Sequence, residues 1–143
     1  SLKDGSKKMS KSELSDLSRI NLTDNRDQII NKIKKAKTDP LPMPKTIKEL
    51  DERLEAKNLI GIYASLTNSS LEKSVEIFAG KNFSEFKENL SEVLVDKIEP
   101  ISVEIKKLLS DQSYLDKILL DGVEKADLIA SKKIKKIKEI LGF

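Results

Sequence analysis

Neither cysteine nor histidine occurs in the 143 residues, tryptophan is missing too, and there are only five glycines and four prolines. Without cysteine there is no disulfide framework, no thiolate nucleophile and no thiolate metal site. That fits a reducing compartment, and a cytoplasmic location is expected. Without histidine the commonest general base and the commonest metal ligand are both gone, and no protein-bound metal is expected. The apolar runs are only a few residues long, so no membrane span is predicted. The basic start has no apolar stretch behind it, unlike a signal peptide. No glycine-rich nucleotide fingerprint and no Ser/His/Asp set occurs. Acidic pairs such as Glu49/Glu52 and Glu88/Glu92 sit at helical spacing and read as exposed faces.

What the chain does have is charge and helical period. Hydrophobic residues make up 38% and charged residues 36%, enough for one core surrounded by long helices. The net charge of +3 is unevenly spread: residues 1–37 carry +5, residues 38–131 carry −6 and residues 132–143 carry +4. The fold class expected is all-α, a helical bundle over residues 23–143 preceded by a flexible, loop-like leader over residues 1–22. Gly5 is read as supplying positive φ in a turn. Leu14, Leu17, Ile20 and Leu22 are scattered apolar anchors.

Thr23 is predicted to cap the first helix, with Asp24 and Asp27 in its positive first turn. Ile29, Ile30, Ile33 and Ala36 share a face, while Lys32, Lys34, Lys35 and Lys37 project elsewhere. Pro40, Pro42 and Pro44 make a stiff connector that reads as the chain's boundary. Capping boxes are expected at Thr46/Glu49 and Ser69/Glu72. Between them Leu59, Ile60, Ile62, Tyr63 and Leu66 form an apolar stripe. Gly80 closes the helix bearing Val75 and Phe78, and Ser84 caps a long helix bearing Phe86, Leu90 and Leu94. Pro100 is predicted to kink or break that helix, and a further break falls near Ser110-Asp111. A last helix carries Tyr114, Leu115, Ile118, Leu119, Ala126, Ile129 and Ala130 as an apolar face and closes at Gly142. The aromatics, Phe143 included, read mostly as core. On the final turns Ile134, Ile137 and Leu141 lie opposite Lys132, Lys135 and Lys136. Those lysines read either as a solvated outer face or as phosphate contacts to RNA.

The densest chemistry lies near the start. Lys7-Lys8-Met9-Ser10-Lys11-Ser12 places three ammonium groups and two hydroxyls in six residues, a composition suited to a mobile loop meeting a polyphosphate. Lys8-Met9-Ser10-Lys11-Ser12 resembles the KMSKS signature of class I aminoacyl-tRNA synthetases. The flanks, among them Lys32–Asp39, Phe83–Lys87, Ile98–Ile101, Tyr114–Leu119 and Gly122–Ala126, are similar to tryptophanyl-tRNA synthetases over essentially the whole length. Glu13 stands where that family often has Asp, and Leu54 where it usually has Pro.

The resemblance implies the C-terminal half of a tryptophan–tRNA ligase, without the Rossmann catalytic domain, and inactive alone. It implies ATP as substrate, with Mg2+ accompanying it, and tryptophan and tRNA as partners of a parent homodimer, the fragment itself being monomeric. Lys8, Met9, Ser10, Lys11 and Ser12 would bind ATP, with Lys11 and then Lys8 catalytic through the departing pyrophosphate. Met9 would chiefly anchor the loop. The helices would bind the anticodon region, Lys132, Lys135 and Lys136 being the candidate tRNA contacts. A freestanding helical RNA-binding or protein-interaction module, without catalysis, is the alternative.

Overall fold

The computed structural model describes residues 1–142, so Phe143 lies outside the described residues. Among the described residues a 3-10 turn, Asp16–Ser18, precedes six helices: α1 (Arg26–Lys34), α2 (Ile47–Asp51), α3 (Leu54–Thr67), α4 (Leu71–Phe78), α5 (Phe83–Ser110) and α6 (Gln112–Leu141). No strand occurs among the described residues, and the all-α expectation holds. The chain divides into two compact units, Ser1–Val103 and Glu104–Phe143.

The core belongs to the first unit. Helical spacing brings Ile29 and Ile33 of α1, Leu50 of α2, Ala56, Leu59 and Ile60 of α3, Val75 and Phe78 of α4, and Phe86, Leu90, Leu94 and Val95 of α5 into one buried cluster. At its centre Phe78 meets Tyr63 at 4.9 Å and Phe86 at 4.8 Å between ring centroids, both edge to face. That geometry sets the positive ring edge against the negative face. Ile30, expected on the inner face of α1, is exposed, and Lys32, expected outside, is 2% exposed.

The helix ends follow capping chemistry, at different residues from those expected in three cases. Asn25, not Thr23, caps α1, and its reciprocal bonds with Gln28 complete a capping box. Asp24 lies outside the helix and is buried. Ser70, not Ser69, caps α4, while the Ser69 hydroxyl pairs with Ser74 at 2.9 Å. Asn82, not Ser84, accepts the Glu85 N–H at 2.8 Å at the head of α5. Thr46 caps α2 as expected, but the Glu49 carboxylate reaches the Lys45 N–H, not that of Thr46. Gly80 follows α4 at φ 72° and Gly142 ends α6 at φ 79°, left-handed conformations that glycine adopts without steric cost. Helix α5 stays helical through Pro100 and ends at the predicted Ser110-Asp111 break, where Asp111 caps α6.

The proline segment is stitched into the first unit and is no boundary. Met43 and Pro44 are buried. The Met43 N–H donates to the Lys81 carbonyl at 2.8 Å, and the Met43 carbonyl accepts the Gly80 N–H at 3.1 Å. Arg53 holds the same segment through the Asp39 carboxylate (Nε–Oδ2 2.9 Å) and the Pro42 carbonyl (2.7 Å). Burial pushes the Asp39 carboxyl up, but the bonds from Arg53 and from the Leu41 N–H outweigh it and hold the group below its usual 3.8.

No residue of α6 is buried. Leu119, Val123, Ile134, Ile137 and Leu141 are each more than half exposed, and Tyr114 is 48% exposed, so the expected apolar face is present but uncovered in its own unit. Among the described residues no helix is long and apolar enough to cross a membrane.

Phe86→Ala should cost about 3–5 kcal/mol, the usual range for emptying a buried aromatic site, read from the denaturant midpoint. Because Asp39 is more acidic folded than unfolded, its contribution is complete above pH 3.8 and is lost as pH falls through the lower folded value. Asp39→Asn should therefore lower stability at neutral pH and leave a flatter acid limb, measured by urea unfolding between neutral pH and the acid range.

Candidate functional site

The lysine-rich loop is held at both of its ends. Leu2, 1% exposed, lies in the core cluster. Its N–H donates to the Ser18 carbonyl at 2.9 Å and its carbonyl accepts the Lys37 N–H at 2.8 Å. The Ser1 carbonyl accepts Asn58 Nδ2 of α3 at 3.1 Å. Residues 3–17 thus form a loop whose feet are hydrogen-bonded to each other and to the helices. The leader is loop-like as expected, but its anchor is Leu2; Leu14 and Leu22 are exposed, and Met9 is 36% exposed, outside the core cluster.

Gly5 is needed for a reason other than the positive φ expected of it. It does not occupy the left-handed region. A Cβ there would lie 2.5 Å from the Leu54 carbonyl oxygen and 2.9 Å from the Glu55 nitrogen. Backbone meets backbone at the head of α3, and no side chain fits between. Just beyond, the Asp4 carboxylate accepts the Ser6 N–H (3.0 Å) and hydroxyl (2.6 Å), forming an Asx turn. These bonds, with Lys7 at 3.5 Å, hold the Asp4 carboxyl below its ordinary range.

The turn delivers Lys8, Met9, Ser10, Lys11 and Ser12 to the surface; Lys8, Lys11 and Ser12 are exposed. The Ser10 and Ser12 hydroxyls lie 3.0 Å apart. Among the described residues Lys8 and Lys11 make no ion pair, unlike Lys7 beside them. Two ammonium groups and two hydroxyls on one short solvent-facing segment can gather around an anion with several oxygens.

On the far side, charge fixes the loop. The buried ammonium of Lys32 lies 2.7 Å from Asp24 and 2.7 Å from Asp16. The Asp24 side chain is 4% exposed and that of Asp16 is 55% exposed. The Lys32 hydrogen bond, then that from Asn21, lowers the Asp16 carboxyl below its ordinary range. Arg19 lies 3.2 Å from Asp16 and donates to the carbonyls of Glu13 (3.0 Å) and Ser10 (3.4 Å).

Lys132, Lys135 and Lys136 are exposed on α6, in the second unit, apart in sequence and element from the loop. A cleft of about 610 Å3 that composition did not single out lies between α1 and α5, lined by Arg26, Ile30, Lys34, Phe83, Lys87 and Glu88 among others. The Lys87 ammonium donates to the carbonyls of Ala36 (2.7 Å) and Lys34 (3.2 Å) at the end of α1. Burial lowers its pKa. The available signal was the lysine-rich end of α1, whose free carbonyls attract a cation.

The family described as tRNA synthetases class I (W and Y) matches residues 1–98. Relatives named tryptophan–tRNA ligase align across the chain. That of Mesorhizobium japonicum is 48% identical over 142 residues, 99% of this chain and 40% of its own length. Those of Caulobacter vibrioides and Rickettsia felis are each 48% identical over all 143 residues, 42% and 43% of their own lengths. The chain therefore spans about two fifths of the length of the curated relatives it matches.

Gly5→Ala should destabilise the chain by about 1–3 kcal/mol, as overpacking does. Gly61→Ala in α3, where an added methyl meets nothing within 4 Å, should gain about 0.5–1 kcal/mol. Thermal melts of the two variants side by side check the contrast.

Proposed function

The chain belongs to the class I tRNA synthetases (W and Y), and from that premise we propose that it is the C-terminal portion of a tryptophan–tRNA ligase. In this reading residues 1–22 supply the ATP-phosphate loop and residues 23–143 the part that grips tRNA. The parent reaction has two steps. Tryptophan attacks the α-phosphorus of ATP to give tryptophanyl-adenylate and pyrophosphate; the adenylate then acylates the 3′ end of the tRNA.

The observation that carries the reading is the tethered loop itself, whose Lys8 and Lys11 ammonium groups stand exposed and unengaged by any carboxylate among the described residues. As the bond to the α-phosphorus breaks, negative charge grows on the leaving pyrophosphate. Lys11, with Lys8 second, neutralises that charge, and the Ser10 and Ser12 hydroxyls add donors. ATP arrives with Mg2+ on its phosphates. The loop closes over ATP and reopens for product, which its exposed middle and fixed feet allow.

The helices contact the anticodon region, with Lys132, Lys135 and Lys136 meeting phosphates. The parent works as a cytoplasmic homodimer, and this chain alone is inactive and monomeric. The uncovered apolar face of α6 favours a second reading, in which the helical part is a protein-interaction module.

In the longer ligase, Lys11→Ala should slow tryptophan-dependent ATP–pyrophosphate exchange by about a hundredfold, the usual loss of a transition-state donor, while leaving the tryptophan Kd unchanged. Equal loss of both would remove the leaving-group role. Replacing Lys132, Lys135 and Lys136 together by Gln should weaken tRNA binding and flatten its dependence on salt. Binding unchanged at every salt concentration would favour the protein-interaction reading.

A further inference from the structure

We propose that Arg19, oriented by Asp16, is a positioning residue for the phosphate-facing loop, a role that rests on the ATP reading above. Two carbonyls of the loop's own turn, those of Ser10 and Glu13, are held by one guanidinium nitrogen of Arg19. The Glu13 N–H donates back to the Ser10 carbonyl at 3.4 Å, so Arg19 closes the turn that carries Ser10, Lys11 and Ser12. Arg19 is placed in turn by the Asp16 carboxylate at 3.2 Å and by Asn21 Oδ1, which accepts its Nε–H at 3.1 Å. Asp16 is tied to Lys32, on an α1 face that packs into the core. A continuous relay of charge thus runs from the buried ammonium through Asp16 and Arg19 to the backbone of the loop.

The relay is built to be released at its outer end. Lys32 keeps Asp24, which is buried beside it, whether or not Asp16 stays. Detaching Asp16 and Arg19 strands no buried charge, so the turn can loosen while the body of the fold is unaffected. A planar guanidinium with several fixed donors suits this bridging, and the single ammonium of a lysine does not reproduce it.

The test uses Arg19→Gln, Arg19→Lys, Asp16→Asn and the double variant, in this chain and in the longer ligase. In the chain, cleavage after Lys8 and Lys11 by a lysine-specific protease reads loop opening. Arg19→Gln and Asp16→Asn should each speed it about threefold, a change of the size expected for a partly exposed ion pair. The double variant should add little to either, because both cut one relay, Arg19→Lys should restore only part of the protection, and the melting temperature should hold. In the ligase, kcat/KM for ATP should fall about threefold while the tryptophan KM is unmoved. Unchanged cleavage, or a fall in melting temperature accounting for it, would overturn the positioning role whatever the loop does. Faster cleavage with normal ATP kinetics would also overturn it, and Lys11→Ala then separates the causes. If Lys11→Ala abolishes exchange, only the relay has failed; if it too leaves exchange intact, the ATP reading has failed and takes the relay with it.

Discussion

A lysine ammonium sealed inside the fold is the constraint from which the geometry of the loop follows. Lys32 lies on the inward face of α1, 2% exposed, one residue before the fully buried Ile33. A lone cation there would be too costly to retain; removing one partner of a buried ion pair commonly costs about 3–5 kcal/mol. Asp24 and Asp16 each approach it to 2.7 Å, and Asp24 also accepts the Asn21 N–H at 2.8 Å. Asp24 answers the buried charge from the Asn21–Asp24 turn, and Asp16 adds the 3-10 turn as a second, more exposed partner, so that three segments converge on one ammonium of α1. The side of the loop that follows Ser12 is located by that convergence, and the preceding side by the burial of Leu2. Such a pair adds less to net stability than a well-packed apolar substitute would; what it contributes here is a single arrangement of three segments.

Much of this was legible in the sequence. Period and capping residues marked the helical stretches, though not the break between α2 and α3, and Ile29, Ile33, Phe78, Phe86, Leu90 and Leu94 were found where the period placed them. Pattern alone could not choose between neighbouring residues of equal capping ability. Thr23, Asp24 and Asn25 stand in a row, as do Ser69 and Ser70, and the differences between such caps are a few tenths of a kcal/mol. The deciding signal at α1 was Gln28, three residues after Asn25, which allows the reciprocal pair. Lys32 was misplaced because a lysine in a helical pattern is solvated by default. Its two carboxylates lie 8 and 16 residues away in the chain, and only the folded path joins them.

The segment that carries the candidate chemistry was the most legible of all, because its composition is extreme. What composition could not show was its tethering. Arg19 carries no motif, and its value lies in two backbone carbonyls that any residues would supply. The apolar stripe of α6 was also readable, yet period reports only that a face is apolar and says nothing of what lies against it. In its own unit that face meets solvent.

The approach of Gly5 to the head of α3 carries a consequence for how the sequence can drift. The obstacle to a larger residue is the Leu54 carbonyl and the Glu55 nitrogen, atoms that every amino acid at those positions possesses. Shrinking a neighbouring side chain cannot make room, so no second-site replacement of a partner repairs a change there. Position 5 is closed to compensated exchange, while position 61, on the same helix that Gly5 abuts, has open space and is free to accept alanine.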